Sequence, residues 1–191
     1  MASHTRPEPR SFTATAGTAV LLDLKELSLR GGDHFEQVFA LEVAPITLGG
    51  SRHQVLVPDG VTVGVDRVAG GYLVNVSADA KIYGPCARCL KEVVLTVHAE
   101  QQEFAPTAKD GWQETELSPF IQDLVLDVSG LVREAIVLAV PAQVVCAPDC
   151  KGLCPECGQD LNAGRCECAT DEPDERWAKL RDMRFDDDAG S

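Results

Sequence analysis

The chain has 191 residues, of which 45% are hydrophobic and 25% are charged, and this suits one ordinary globular domain with a small appendage. Its formal net charge of -13 repels a phosphate backbone at long range, which disfavours sequence-independent binding to nucleic acid and favours a basic protein partner. Aromatic residues make up only 5% of the chain, which argues against a surface built mainly to stack bases.

The N-terminal segment predicts a flexible arm over residues 1–18, because it is polar and contains prolines. The apolar stretch from Ala14 to Leu22 is interrupted by Thr and Gly and ends at Asp23, so it makes a poor signal-peptide core. No run approaches the ~20 apolar residues of a membrane span. We therefore expect a cytoplasmic protein.

Residues 19–145 are expected to form a strand-rich antiparallel body. Gly70-Gly71 predicts a hairpin turn within it, and Cys86 and Cys89 should lie at the tip of a second hairpin. A further apolar segment spans Phe120 to Val128. Alternation of apolar and polar residues predicts strands over residues 35–43, 60–68, 72–83 and 92–104.

A short helix is predicted near residues 130–139, with Ser129 as its cap and Pro141 as its stop. Its core-facing side should carry Leu131, Ala135 and Leu138.

A second short helix is predicted in the acidic tail over residues 170–191, where Trp177 and Leu180 share one side. The predicted fold class is α+β: a strand-rich antiparallel body with one or two short helices, followed by a small cysteine-rich zinc module over residues 146–169.

Eight cysteines give the strongest chemical signal in the chain. In a reducing compartment, thiols at close spacing bind metal more often than they form disulfides. We interpret all eight as ligands for one or two Zn²⁺ ions per chain. They fall in four couplets: Cys86/Cys89, Cys146/Cys150, Cys154/Cys157 and Cys166/Cys168.

The sequence Cys154-Pro-Glu-Cys157-Gly158 has the form of a zinc knuckle, in which two intervening residues let both sulfurs face one ion. Cys166 and Cys168 face the same side if their segment is extended. Joining these two couplets leaves the first two couplets for a second site. Four couplets combine into two sites in three ways, however, and spacing alone does not choose among them.

Other readings of the cysteines stay open at this point: disulfides, a single site with spare thiols, and an iron–sulfur cluster, although knuckle spacing favours zinc. His53 and His98 are potential substitute ligands, but each is expected to be an ordinary surface histidine. Four sulfur ligands leave no open coordination position, so the expected sites are structural and the protein is not expected to be an enzyme.

The alternative function is a zinc-dependent nucleobase deaminase or hydrolase. His34-Phe-Glu36 and Pro85-Cys86-Ala-Arg-Cys89 together match the deaminase pattern, with His34, Cys86 and Cys89 as ligands and Glu36 as the proton carrier. The histidine of that pattern opens a helix, whereas His34 enters an alternating strand. The alternative also leaves six cysteines unexplained.

Four blocks of sequence resemble one known family, the YceD family, also called large ribosomal RNA subunit accumulation proteins. The resemblance covers about Val20 to Leu180, is most specific in the C-terminal block, and is closest to the actinobacterial form. The blocks are Cys86-Ala-Arg-Cys89-Leu90, Arg133-Glu-Ala-Ile-Val-Leu-Ala-Val-Pro141, Cys150-Lys-Gly-Leu-Cys154-Pro-Glu-Cys157-Gly-Gln-Asp-Leu-Asn162 and Trp177-Ala-Lys-Leu180.

This resemblance implies a cytoplasmic, non-enzymatic factor that supports the accumulation or processing of large-subunit (23S) rRNA. It implies a small zinc-ribbon protein of the large ribosomal subunit, precursor 23S rRNA, or both as partners, with no membrane and no small-molecule substrate. Some relatives keep the hairpin couplet but lack the C-terminal cysteines, which leaves the pairing of Cys86/Cys89 open.

A direct contact with RNA or a partner would need local features on this acidic chain. The candidate contacts are Arg88, Lys91, Lys151, Arg165 and Trp177. For the four positively charged residues in this set, neutralising the cysteine thiolates is an equally favoured role.

Overall fold

The computed structural model describes residues 19–108 and 111–168. The arm predicted over residues 1–18 and the tail helix predicted over residues 170–191, with Trp177, lie outside the described residues.

The described residues contain nine strands, one short 3-10 helix at Glu114–Glu116 and one α-helix, α1, at Val128–Ala139. The strands are β1 Leu21–Asp23, β2 His34–Phe39, β3 Ile46–Leu48, β4 Ser51–Leu56, β5 Val61–Val68, β6 Gly71–Pro85, β7 Glu92–Pro106, β8 Ile121–Gln122 and β9 Val125–Asp127.

The long hairpin β6–β7 organises the larger sheet. Its two strands are each 15 residues long and pair along their whole length, from Gly71 opposite Pro106 to Pro85 opposite Glu92. The other edge of β6 pairs with β5 near its start and with β4 near its end, which gives the order β2-β5-β6-β4-β3 with β7 on β6. All these pairings are antiparallel, so the predicted strand-rich α+β fold is confirmed.

Strict alternation along β6 and β7 places one face of the hairpin in the core. Even-numbered residues of β6 from Tyr72 to Ile82 are buried, while Asp79, Lys81 and Tyr83 face outward. The outward rows pair in register across the strands, for example Tyr83 with Val94. Period-two alternation is what a half-buried sheet requires.

The structure differs from the predicted strands at two points. The hairpin turn is formed by Ala69 and Gly70, with Gly70 at φ 82°, and Gly71 already belongs to β6. Strand β2 ends at Phe39 instead of continuing to residue 43, because Phe39 pairs with Val61, the first residue of the strand β5 against which β2 lies.

A second, three-stranded sheet has the order β1-β9-β8 and precedes α1 directly. The apolar segment predicted over residues 120–128 forms most of it. Its β8–β9 turn holds Asp123 and Leu124 at φ 51° and 66°, the backbone conformation of a type I′ hairpin.

Helix α1 begins two residues before the predicted start and is capped differently. The Asp127 side chain accepts a hydrogen bond from the Gly130 N–H at 2.9 Å, which satisfies one of the free donors of the first turn. Ser129 is not the cap; its hydroxyl accepts from the Val20 N–H at 2.9 Å. Of the face predicted to be buried, Leu131 and Ala135 are buried but Leu138 is 70% exposed; the buried stripe continues through Val132 and Ile136 instead.

His53 is buried in the body, so its assignment as a surface histidine is wrong. Its ring is 2% exposed, and Nδ1 lies 3.0 Å from the Ser51 carbonyl oxygen while Nε2 finds no hydrogen-bond partner among the described residues. The ring lies against the backbone of Gly84, where a Cβ atom would come within 2.6 Å of the His53 Cγ atom. Glycine at position 84 therefore makes room for the imidazole two residues before Cys86.

The chain divides into two compact units, one ending at Cys150 and the other beginning at Lys151. Cys86, Cys89, Cys146 and Cys150 belong to the first unit. Among the described residues, no helix has the length and apolar character needed to cross a membrane.

Gly84→Ala should destabilise the first unit by about 1–3 kcal/mol, because the new methyl group overlaps the His53 ring. In a His53→Ala background the same change should have a much smaller effect, since the ring is gone. Urea unfolding of the four members of this double-mutant cycle measures both values.

Gly31→Ala is the matched control, because a Cβ at Gly31 meets nothing within 4 Å. An equal loss from Gly84→Ala in both backgrounds would contradict the proposed contact with His53.

Candidate metal centres

The first cluster of cysteines joins the tip of the β6–β7 hairpin to the segment that follows α1. The sulfur atoms of Cys86, Cys89, Cys146 and Cys150 all lie within 4.8 Å of one another. Sulfurs of Cys86 and Cys150 are 3.9 Å apart, and those of Cys89 and Cys146 are 3.6 Å apart. A tetrahedral ion with bonds of about 2.3 Å to four sulfurs holds them about 3.8 Å apart. The spacing therefore fits one tetrahedral ion.

Hydrogen bonds reinforce this junction. The Ala87 N–H donates to the Val144 carbonyl at 2.8 Å. The Arg88 guanidinium, through Nη1, donates to the carbonyls of Pro148 at 3.2 Å and Cys150 at 3.0 Å. The hairpin tip is thus connected to the later segment by backbone and side-chain donors as well as by the sulfur cluster.

The second cluster lies wholly within the second unit. The sulfurs of Cys154, Cys157, Cys166 and Cys168 also lie within 4.8 Å of one another. A β-bridge between Leu153 and Asp160 holds this small segment together.

Of the three pairings that spacing left open, the structure has the one that joins the first couplet to the second and the third to the fourth. All eight cysteines are free thiols, and no pair forms a disulfide. Each group of four could hold a metal ion.

The two Cys-x-x-Cys turns have the same backbone geometry. In the first, the Cys86 N–H donates to the Lys91 carbonyl at 2.7 Å, and the Leu90 N–H donates to the Cys86 carbonyl at 3.0 Å. In the second, the Cys154 N–H donates to the residue-159 carbonyl at 2.8 Å, and the Gly158 N–H donates to the Cys154 carbonyl at 2.9 Å. Both are therefore knuckles of one type.

The fifth position of the knuckle requires a left-handed backbone, and only the second copy has glycine there. Gly158 adopts φ 71°, and the equivalent Leu90 adopts φ 61°. A residue with a Cβ atom is strained in this region, and glycine is not. Leu90 is also 62% exposed, so burial does not offset its strain. Aligning the two Cys-x-x-Cys copies would have revealed the position.

The cysteines of the first cluster differ in the pKa of their thiols. Burial raises the pKa of the Cys86 thiol, but N–H donors from Cys89, Arg88 and Cys146 outweigh it and lower the pKa to about 6. The thiols of Cys150 and then Cys89 raise the pKa of Cys146 to about 12.

The second cluster repeats this pattern. N–H donors from Cys157 and Glu156 lower the pKa of Cys154 to about 7, whereas the Cys157 thiol raises the pKa of Cys168 to about 12. Four adjacent sulfurs cannot all ionise without a compensating positive charge. The donor sets therefore suit a cation that replaces the thiol protons.

The alternative deaminase site is not assembled. His34 and Glu36 lie on β2, and the His34 Nδ1 atom is 2.7 Å from an Asp66 carboxylate oxygen. Residue 66 pairs with residue 73 of β6, and about 40 Å of that strand separates residue 73 from Cys86. The His34 ring is therefore far from the Cys86 sulfur. Neither His34 nor Glu36 belongs to the cluster that contains Cys86 and Cys89.

His98 is exposed on β7 and lies outside both clusters. Its Nδ1 atom is 2.8 Å from Asp79 and its Nε2 atom is 2.8 Å from Glu100. Hydrogen bonds from the imidazole to Glu100 and then Asp79 raise the pKa of His98, because both favour the protonated ring.

The candidate contact residues fall into two groups. Arg88 and Lys91 lie at the hairpin tip, with Arg88 engaged by the carbonyls described above. Lys151 and Arg165 line the same open concavity of about 490 Å³ in the second unit.

A family model described as large ribosomal RNA subunit accumulation protein YceD matches residues 74–184, which is more than half of the chain. The match begins within β6 and includes all eight cysteines.

An uncharacterised protein of Mycobacterium tuberculosis is 35% identical over 122 residues, which cover 62% of this chain and 58% of that protein. A protein of Arabidopsis thaliana named large ribosomal RNA subunit accumulation protein YCED homolog 1, chloroplastic, is 29% identical over 89 residues, 44% of this chain and 27% of its own length. The chain thus spans little more than half of the mycobacterial relative. No solved structure matches the chain significantly.

Leu90→Gly should stabilise the first unit by about 1 kcal/mol, because it removes the strain of a left-handed leucine. Thermal or urea unfolding of the metal-loaded protein measures the change. Ala87→Gly is the matched control at an exposed neighbouring position without positive φ, and it should give no gain.

Gly158→Ala should destabilise the second unit by about 1 kcal/mol. The new Cβ meets open space, so the cost comes only from the left-handed backbone conformation. Equal responses of Leu90→Gly and Ala87→Gly would contradict the assigned strain.

Proposed function

This chain belongs to the YceD family of large ribosomal RNA subunit accumulation proteins, and from that premise we propose that it is a non-enzymatic, zinc-binding factor of ribosome biogenesis. In this role it supports the accumulation or processing of 23S rRNA in the cytoplasm. The family match over residues 74–184 carries the proposal, because it includes both cysteine clusters and the hairpin that presents the first of them.

Zinc is the metal that best suits both sites. Tetrahedral groups of four cysteines at knuckle turns are the usual ligands of structural zinc. In the first cluster, the sulfur separations of 3.9 and 3.6 Å and the N–H donors directed at the Cys86 sulfur support this choice, and in the second the four sulfurs lie within 4.8 Å of one another. We assign all eight cysteines as ligands and one Zn²⁺ ion to each cluster.

The role of the metal is structural. With four protein sulfurs bound, tetrahedral zinc has no position left for water or substrate, so it cannot activate a nucleophile. In the first unit the ion would join the hairpin tip to residues 146–150, and in the second it would replace a hydrophobic core that so short a segment cannot form. The protein therefore acts by presenting surfaces to its partners.

The proposed partners are a basic protein of the large ribosomal subunit, of the small zinc-ribbon type, and precursor 23S rRNA. The net charge of -13 favours association with a strongly basic protein. Arg88, Lys91, Lys151 and Arg165 remain proposed contacts, and Trp177 is proposed with them.

Purified, reduced protein should contain two zinc ions per chain, measured by native mass spectrometry and elemental analysis. Cys154→Ser should lower the content to one and increase hydrogen exchange over residues 151–168, because a structural ion contributes folding free energy directly. Cys86→Ser should also lower it to one, with the loss of protection at the hairpin tip.

His34→Ala is the control for the deaminase alternative and should leave two zinc ions bound. Full zinc content and unchanged stability in Cys154→Ser would contradict the second site, and loss of zinc in His34→Ala would contradict the assignment of the first.

Crosslinking and affinity purification of the tagged chain from a mycobacterial host should recover a large-subunit ribosomal protein, precursor 23S rRNA, or both. Depletion of the host's own relative should lower 23S rRNA relative to 16S rRNA, and expression of this chain should restore it. Recovery of neither partner, together with unchanged 23S rRNA, would refute the proposed function.

A further inference from the structure

The outward face of the larger sheet carries an exposed apolar patch close to the first knuckle. Tyr83 of β6 is paired with Val94 of β7, and on its other side β6 places Lys81 opposite Leu56 of β4. Leu56, Tyr83 and Val94 are 52%, 36% and 56% exposed. Three large apolar side chains on adjacent strands thus form one platform that the described residues leave open to solvent.

Two cations flank this platform. Lys81 is two residues before Tyr83 on β6, and Arg52 is two residues before Gln54, the β4 partner of Tyr83. All of these positions share the outward face, because alternate residues of a strand point the same way. Within the described part of the chain, neither Lys81 nor Arg52 makes an ion pair, although the net charge is -13.

The rest of the outward face has the opposite character. Beginning at Asp79, two residues before Lys81, and continuing toward the start of β6, it carries Asp79, Glu100 and Asp66, which contact the imidazoles of His98 and His34. On the described strands, the Lys and Arg side chains of this face are Arg52 and Lys81, and both lie at the end that holds the apolar platform and the knuckle. This local cationic cluster answers the objection from net charge, since a polyanion can approach that end.

We propose that this platform, formed by Arg52, Leu56, Lys81, Tyr83 and Val94, binds a single-stranded segment of RNA. Unpaired bases stack on the exposed Tyr83 ring and pack against the two aliphatic side chains, while Arg52 and Lys81 contact phosphates. Single-stranded RNA is recognised in this way because its bases are accessible for stacking. The inference rests on the proposed function and adds a defined surface to it.

The charges favour RNA over a protein at this platform. The protein partner proposed above is strongly basic, so Arg52 and Lys81 would repel it, whereas both attract phosphate. An aromatic ring between two cations matches the alternation of base and phosphate along a strand.

Fluorescence anisotropy with a labelled 12-nucleotide RNA of mixed sequence tests the platform, using the full zinc-loaded chain at low salt. Two phosphate contacts predict a slope of log K against log salt of about -1.4, and Arg52→Ala should reduce its magnitude by about 0.7. Tyr83→Ala should weaken binding about tenfold or more, and Tyr83→Phe should retain it, because the ring carries the stacking.

Glu92→Gln should change affinity in the other direction. Glu92 is exposed on the same face of β7, two residues before Val94, and its charge opposes an approaching phosphate. Its removal should strengthen binding, on the order of twofold at low salt. Val38→Ala and Lys25→Ala alter exposed residues outside the platform and should leave binding unchanged.

Zinc content and circular dichroism confirm that each variant is folded, and Arg52→Ala tests the platform without touching an apolar side chain. Absence of RNA binding, binding insensitive to Arg52→Ala and Tyr83→Ala, or equal binding of a duplex of the same sequence would overturn the inference. So would capture of a ribosomal protein, without RNA, that is lost in Leu56→Ala and Val94→Ala.

Levels of 23S rRNA in a depleted host separate this inference from the proposed function. If the wild-type chain restores 23S rRNA and the Arg52→Ala/Tyr83→Ala variant does not, both stand. If the variant restores it fully, the platform is wrong and the proposed function stands. If the wild-type chain does not restore it, the proposed function fails.

Discussion

The junction between the hairpin tip and residues 146–150 is the constraint on which the first unit depends. The β6–β7 hairpin is 15 residues long on each strand, and α1 lies between its second strand and the later cysteines in sequence. Bringing Cys86 and Cys89 to Cys146 and Cys150 closes a loop of more than fifty residues. The loss of chain entropy on closing this loop opposes folding, and the sulfur cluster and its hydrogen bonds must offset it. In the proposed zinc-bound protein, the ion would supply free energy at the point where that long loop closes.

The two knuckles share one backbone geometry but differ in strain at the fifth position. The second contains glycine at the left-handed position, which adopts this backbone without strain. The first contains the exposed Leu90 at the same backbone position, and strain retained at an exposed residue is typical of functional surfaces. Leu90 lies at the tip of the hairpin that also carries Tyr83 and Val94, so the strained position and the apolar platform belong to the same hairpin.

Much of this architecture could be predicted from local sequence, because alternation and close cysteine spacing are local signals. The β6–β7 hairpin, the tip position of Cys86 and Cys89 and the existence of α1 follow from them. The pairing of couplets could not be predicted, because it depends on where residues 146–150 lie after α1. Similarly, the burial of His53 depends on the absence of a side chain at Gly84, on another strand. The short strands β1, β3, β8 and β9 are too brief for periodicity to reveal.

The chain combines a net charge of -13 with two all-sulfur clusters and one exposed apolar patch flanked by Arg52 and Lys81. In the proposed function, this combination would hold partners of opposite charge during assembly of the large subunit. The structural role proposed for the metal requires that four sulfur ligands fill all coordination positions at both sites. X-ray absorption spectroscopy of the zinc-loaded chain tests this most directly. It should show four sulfur ligands per zinc at about 2.3 Å and no lighter ligand. A nitrogen or oxygen shell at about 2.0–2.2 Å would contradict closed structural sites and would restore an open, catalytic position.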